Sequence, residues 1–381
     1  MNSPTRHLTN VISVTLGMRL FSMSTIIPFL SVYALNMEGG APSLTGYALG
    51  IFGLTQAILQ IPAGMLGDRI GYKKVMLGGL VMLIAGLVAA GLATNIYWLI
   101  FARALQGSGA VVTVGYSWIS SVAGDESRDK ELARLGTVIG TFTMLSYTIG
   151  PLIHILLDVN EMFLFSSVLV TVCVIWVMLD TKKVPREQRK RYASQNKKIK
   201  SVFNRKNISL GLLLTVNSLM NMSFFFMLPL LLEGILGTSQ MWIVLTPAIL
   251  ISLSLTPLTS KIARAGKARR LITLLYLLEG LGFILVYTRN LPGIMAGAII
   301  LMSGAFSISV IVPILANKDM DDSQRGKGNG VVVSLQYLGS FLGAALTGTF
   351  WSISPDLAFF FAGIMVLSGV TMIRTMAIQE K

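Results

Sequence analysis

Gly64-Met65-Leu66-Gly67-Asp68-Arg69-Ile70-Gly71-Tyr72-Lys73-Lys74 interrupts a long apolar sequence with three glycines, one carboxylate and three basic side chains. A charged, glycine-rich loop this short, with an apolar run on each side, reads as a hairpin between two membrane spans. Gly71 is placed to take a positive φ in that hairpin. Gly64 and Gly67 are small enough to let the preceding span approach a neighbour closely.

The rest of the chain agrees. Its 381 residues are 53% hydrophobic and 13% charged, whereas a soluble domain carries roughly 25% charged residues. Mean hydropathy is +0.71. The net charge of +14 would suit nucleic acid, but the basic residues cluster in alternate loops between apolar runs. That is the pattern of a positive-inside membrane protein, and it excludes a nucleic-acid partner. Cys173 is the one cysteine and sits in an apolar run, so no disulfide framework is expected. With His7 and His154 the only histidines, no metal site or cofactor is expected. The apolar run Val11–Leu35 is too long for a signal-peptide core and reads as a first span kept in the mature protein.

A helical span needs about 20 mostly apolar residues. Twelve segments satisfy that rule: 9–35, 43–66, 74–94, 97–121, 132–157, 161–180, 208–234, 239–261, 269–288, 291–316, 328–352 and 356–377. Loops after the even spans hold nearly all the basic residues. The other loops hold Glu38, Asp158, Glu161, Glu233, Asp356 and a single basic residue, Arg289. This places the even loops and both termini in the cytoplasm of a cell bounded by this inner or plasma membrane. The long loop Thr181–Lys206 has eleven basic residues against Glu187 alone. It reads either as a segment lying on anionic lipid headgroups or as a solvated linker whose charge sets topology. It separates residues 1–180 from residues 207–381, each with six spans. A shift of 195 residues lays Gly71 on Gly266 and Gly109 on Gly304, and brings Lys73-Lys74 near Lys267–Arg270. Such duplication is typical of transporters that rock two bundles around a central site.

Gly64–Lys74 resembles the loop 2–3 motif of the major facilitator superfamily. Arg103-Ala104-Leu105-Gln106-Gly107-Ser108-Gly109-Ala110 resembles its fourth-span motif, and Gly150-Pro151 the core of its antiporter motif. Gly53-Leu54-Thr55-Gln56-Ala57 and Lys327-Gly328-Asn329-Gly330-Val331-Val332-Val333-Ser334-Leu335-Gln336 look like the bacterial drug:proton antiporter branch. Two positions depart from the pattern. Tyr72 stands where the family usually has a second Arg, and His154 replaces the first of a trailing glycine pair.

The resemblance implies an all-α membrane protein with twelve transmembrane helices in two pseudo-symmetric six-helix bundles. It also implies that Asp68 touches the start of span 11, around Lys327-Gly328, when the cytoplasmic side is closed. A carboxylate at a helix N-terminus gains about 0.3–2 kcal/mol. Gly64, Gly67, Asp68, Arg69, Gly71 and Lys73 would then form a conformational latch.

Four ionisable residues are candidates for proton coupling. Arg103 and Arg19 lie inside spans 4 and 1, where a cation faces the bundle interior and has a partner. Span 1 has no acid, so the partner of Arg19 must come from another helix or from substrate. Both arginines read equally as structural donors to backbone carbonyls. Glu279 is the only carboxylate deep within a span, and His154 is the other titratable group.

The family's cavity is lined by spans 1, 4, 7 and 10, with help from 2, 5, 8 and 11. Candidates there are Gln56 and Gln60, Gln106 and Tyr116, Asn217 and Asn221, each amide pair at i,i+4 sharing one helix face, together with Phe225 and Gln336. Amides, aromatics and the chain's 20 methionines favour a neutral or lipophilic small molecule, cationic ones included, over phosphates or polycarboxylates. The leading expectation is a monomeric, proton-coupled exporter of lipophilic or amphiphilic compounds. A sugar or metabolite exporter, an uptake symporter, and a non-transporting scaffold or sensor stand as alternatives. No span offers a nucleophile–base pair, so an enzyme is not expected.

Overall fold

The computed structural model describes residues 3–180, 205–318 and 322–375; side chains are not described at 3–4, 125–126, 129, 205–207, 316–318, 322–329 and 375. Among the described residues the protein is helical, with no strand. The first half runs α1 (Ser3–Ser24), α2 (Ile27–Leu35), α3 (Pro42–Ile70), α4 (Tyr72–Gly91), α5 (Ile96–Ser108), α6 (Val112–Val122), α7 (Asp125–Ile153) and α8 (Val159–Asp180). The second half runs α9 (Arg205–Leu236), α10 (Trp242–Ile262), α11 (Ala268–Tyr287), α12 (Leu291–Lys318), α13 (Asp322–Ile353) and α14 (Pro355–Thr375).

These helices make twelve spans, two of them broken. The expected continuous span 9–35 is α1 and α2, which bend at Thr25-Ile26. Pro28 sits in the first turn of α2, where its missing N–H removes no helical bond. The expected span 97–121 is α5 and α6, interrupted at Gly109-Ala110-Val111. Close packing explains the glycines there: a β-carbon on Gly107 would lie 2.3 Å from the Phe52 carbonyl oxygen, and one on Gly109 would lie 2.4 Å from that of Gly79.

Gly71 closes the α3–α4 hairpin with φ 103°, and Gly266 makes the equivalent turn between α10 and α11 with φ 88°. Both values are in the region open to glycine. The 195-residue register therefore holds at the turns. Gly109 and Gly304 differ locally: the first stands at the break between α5 and α6, the second inside the unbroken α12. The basic loop 181–206 lies outside the described residues except for the backbone of Arg205 and Lys206, and so does the side chain of Lys327.

The halves meet chiefly along three helix pairs, α3 with α13, α2 with α9, and α7 with α10, with smaller contacts of α6 on α13 and of α3 on α9. The α3–α13 seam is a stripe of glycines. A β-carbon on Gly46 would lie 2.4 Å from the Ala344 carbonyl oxygen, one on Gly50 2.8 Å from that of Phe341, and one on Gly53 2.6 Å from that of Tyr337. Absent side chains let the two backbones touch, which is how helices associate where water does not drive them together.

This seam occupies the half of α3 that starts at Pro42, away from the Asp68 turn. At the same end Asn36 donates a 3.3 Å hydrogen bond to Glu233, and Arg289, the lone basic residue of those loops, pairs with Asp356. At the other end, the basic face, Gly64 packs on Thr113 of its own half.

Candidate functional site

A cavity of about 510 Å³ lies between the halves, with walls drawn from both. Of the residues expected to line it, Gln60, Tyr116, Asn221 and Gln336 do, and so does Arg103, expected as a proton-coupling candidate. Gln56, Gln106, Asn217 and Phe225 stand one layer back. Gln106 accepts from Arg103 at 2.7 Å and donates to the Gly86 carbonyl at 2.9 Å. Asn217 donates to the Ala305 carbonyl and the Ser309 hydroxyl at 3.3 and 3.0 Å. Phe225 stacks on Tyr147, with ring centroids 5.3 Å apart.

The two intramembrane arginines differ. The Arg103 guanidinium donates to the Ala48 and Leu49 carbonyls of α3 and to Gln106. All three of its nitrogens are engaged, which pins α5 to α3. Arg19, fully buried, engages only Nη2, which donates to Gln56 Oε1 at 2.9 Å and to the Gly109 carbonyl at 3.2 Å. The second of these is a carbonyl at the break between α5 and α6, which also accepts from the Val111 N–H at 2.9 Å. Arg19 Nε and Nη1 have no hydrogen-bond partner. Both guanidinium groups lie over the Phe52 ring, 6.0 and 5.2 Å from its centroid.

Sequence reasoning named Tyr116 and Phe225 but missed Phe52, Tyr147, Phe306 and Tyr337, which line the cavity. Tyr147 of α7 meets Phe225 of α9 and Phe306 of α12, and Phe52 of α3 meets Tyr337 of α13 edge-on at 6.0 Å. Each set joins the two halves at the cavity. In sequence, such residues look like any aromatic within a span.

Glu279 is buried on α11 and neither of its carboxyl oxygens has a hydrogen-bond partner. It borders a water-sized void together with Asn221 and Met220. Asn221 also lines the main cavity, so it borders both spaces. His154 does not line the cavity. It follows the last turn of α7, stacks on Phe29 with centroids 4.1 Å apart, and its Nδ1 donates to the Leu157 carbonyl at 3.2 Å. Half-burial lowers its pKa below the ordinary value of 6.5, against smaller opposing effects from the Leu157 carbonyl and Asp158.

At the Asp68 turn, the Tyr72 hydroxyl donates to the Asp68 carboxylate. The residue that replaces a family arginine thus supplies a neutral donor in its place. The Tyr72 ring covers Gly67, where a β-carbon would lie 2.5 Å from it. Lys73 donates to the Met178 carbonyl of α8 at 3.2 Å. Asp68 and Arg69 are exposed. The expected contact of Asp68 with the Lys327 region falls outside the described side chains.

The sequence model of the Major Facilitator Superfamily matches residues 12–344. Over 374 residues, 95% of this chain and 81% of the relative, the protein is 27% identical to the inner membrane transport protein YajR of Escherichia coli. It is 30% identical over 167 residues, 40% of this chain and 41% of the relative, to the multi-drug resistance efflux pump PmrA of Streptococcus pneumoniae. Among solved structures, the xylose transporter XylE from E. coli in a partially occluded inward-open conformation superposes with TM-score 0.73 at 13% identity, covering 99% of both chains. A bacterial homologue of the lysosomal transporter Spinster, inward-facing and unoccupied, superposes with TM-score 0.72 at 14% identity, covering 98% of this chain and 95% of that one. The family-model match over residues 12–344, with twelve spans in two halves around a central cavity, establishes that the chain belongs to the Major Facilitator Superfamily of membrane transporters.

Proposed function

We propose that this transporter exports small amphiphilic compounds by proton-coupled alternating access, with both termini on the cytoplasmic side of a bacterial inner membrane. The observation that carries this reading is the 510 Å³ cavity between the halves, backed on one side by the glycine seam of α3 on α13. Two bundles that touch mainly at one end can exchange the accessible side of such a cavity by rocking. The basic loops favour placing the opposite end, that of the Asp68 turn, in the cytoplasm.

A lining of amides, hydroxyls, aromatic rings and Met23, Met144 and Met222 suits ligands with an apolar body and a few polar groups. Similarity over part of the chain to a multi-drug efflux pump favours export over uptake. Glu279 is the proton carrier in this reading, because an ionised carboxylate with neither oxygen bonded is expensive to keep buried. Asp68 is the latch for the opposite state, and the 181–206 loop links the bundles along the lipid headgroups. The protein works as a monomer and needs no cofactor beyond the proton gradient.

The test is reconstitution of the full chain in proteoliposomes with an imposed pH gradient and a panel of radiolabelled amphiphiles, sugars and amino acids. Saturable, gradient-driven accumulation of an amphiphile is expected. Saturable movement indifferent to the gradient removes proton coupling, and preference for a sugar removes the amphiphile reading.

A further inference from the structure

The cavity wall next to Arg19 offers hydrogen-bond donors in a fixed order. Guanidinium N–H groups can only donate, so the Arg19 contact requires Gln56 to present its carbonyl oxygen. The Gln56 amide nitrogen is thereby turned toward Gln60 and donates to Gln60 Oε1 at 2.8 Å. That bond in turn leaves the Gln60 amide nitrogen as the end of the chain. It is buried, has no partner, and belongs to a side chain that lines the cavity. The orientation of both amides follows from the cation rather than from assigning O and N by eye.

Behind this donor lies charge that nothing in the wall neutralises. Arg19 keeps Nε and Nη1 unbonded, Arg103 shares the Phe52 ring with it, and among the described residues no Asp, Glu or Lys lines the cavity. Tyr337 of the other half stands beside the Arg19 guanidinium and also lines the cavity. A cationic ligand would face donors and like charge with no carboxylate to receive it. An anion would complete the Gln60 and Tyr337 donors and lie within the field of Arg19, in a low-dielectric setting that strengthens the attraction.

We propose that the substrates are amphiphilic organic anions, whose carboxylate or sulfonate sits against Gln60 and Tyr337 with Arg19 as the charge behind them. The apolar body lies among Met23, Phe52 and Phe306. This rests on the amphiphile-transport reading above and narrows it. It reassigns Arg19 from proton coupling to substrate selection, and it ties the ligand to both halves at once, since Gln60 and Tyr337 lie on opposite sides of the interface.

The test is equilibrium binding to the purified full chain in lipid nanodiscs of three probes with one aromatic body. These are 2-naphthalenesulfonate, the neutral 2-naphthalenemethanol and the cationic (2-naphthylmethyl)trimethylammonium. Wild type should bind the sulfonate at least about tenfold more tightly than the other two, the lower end of what a charge-assisted hydrogen bond contributes. Arg19→Gln should bring the sulfonate down to the level of the neutral probe, and Arg19→Lys should restore part of the preference. Gln60→Glu, which leaves Arg19 in place, should invert the order in favour of the cation, so the proposal stays testable if an Arg19 variant does not fold. Saturable binding without preference for the sulfonate overturns the anion seat and leaves amphiphile transport standing. Absence of saturable binding by all three probes overturns both.

Discussion

Gly348 of α13 lies against Gly46 of α3 so closely that a β-carbon on Gly348 would sit 2.9 Å from the Gly46 α-carbon. Its other neighbour there is the Pro42 carbonyl oxygen, at 2.4 Å. Both obstacles are backbone and neither can swing aside as a side chain could. The contact therefore requires glycine, and it closes one end of the interface between the halves.

Adding bulk at that seam should push the halves apart at the end away from the Asp68 turn. Gly46→Leu would force its side chain into the Ala344 carbonyl, and overpacking of this kind costs about 1–3 kcal/mol. The expected result is a shift of roughly tenfold or more toward the state open at that face. It is measured by impermeant maleimide labelling of a cysteine introduced at Ser340 in a Cys173→Ser background. Labelling confined to the basic face in both backgrounds would show that the seam does not hold the gate.

The Asp68 turn carries a second prediction. In this structure the Asp68 carboxylate accepts from Tyr72, a bond that competes with any use of the same carboxylate at the start of α13. Tyr72→Phe removes the competitor and should favour closure at the basic face. Asp68→Asn removes the carboxylate of the proposed latch and should do the reverse. A part-buried hydrogen bond such as this contributes about 0.5–1.5 kcal/mol, so the shift from Tyr72→Phe is a few-fold to about tenfold. Two variants moving accessibility in the same direction would refute the competition.

How much of this was legible beforehand can be judged residue by residue. The two turn glycines, Gly71 and Gly266, announce themselves because a hairpin between spans needs a positive φ and a single register lays one on the other. The break at Gly109 had a signal in the flanking Gly107 and Ser108, but hydropathy averages across three residues and hides it. The arginines are the instructive case. Arg19 and Arg103 look alike in sequence, each a cation in an apolar run. They separate only when the fold brings the Ala48 and Leu49 carbonyls to one and leaves the other half-bonded. Tyr147 and Tyr337 could not be found from sequence at all, since an aromatic that faces a cavity and one that fills a helix interface have the same pattern. The lining amides were half right for a related reason. The i,i+4 rule places Gln56 and Gln60 on one face, but Arg19 of α1 holds Gln56 while Gln60 reaches the cavity.

His154 makes stability depend on pH. Desolvation against Phe29 lowers its folded-state pKa below 6.5, with Asp158 the nearby charge acting the other way. The unfolded chain then takes up a proton more readily than the folded one as the pH falls. Stability from this site is fully present above about pH 6.5 and is lost as the pH drops through the lower folded value. In detergent, the wild-type Tm should fall more between about pH 7.5 and about pH 5.5 than that of His154→Gln, whose side chain does not titrate in this range. Parallel curves for the two proteins would place the pH dependence elsewhere.

Glu279 separates coupling from binding. Its carboxyl is buried with neither oxygen bonded, Gly304 lies so close that a β-carbon there would be 2.6 Å from Glu279 Cγ, and it borders the water-sized void that Asn221 also lines. A group so enclosed is cheapest to keep when neutral, and in the proposed proton-coupled cycle Asn221, which borders both the void and the cavity, is the side chain that a proton would pass. Glu279→Gln keeps the volume and removes the titration. Because an amide never has to be buried as an ion, thermal stability should be unchanged or higher. Substrate counterflow, which needs no driving force, should persist, while accumulation driven by a pH gradient should disappear. Gradient-driven accumulation at the wild-type rate would exclude Glu279 as the carrier. Simultaneous loss of counterflow and stability would instead mark it as a packing residue. Only loss of accumulation with exchange retained fits a carboxyl that moves protons without touching the substrate.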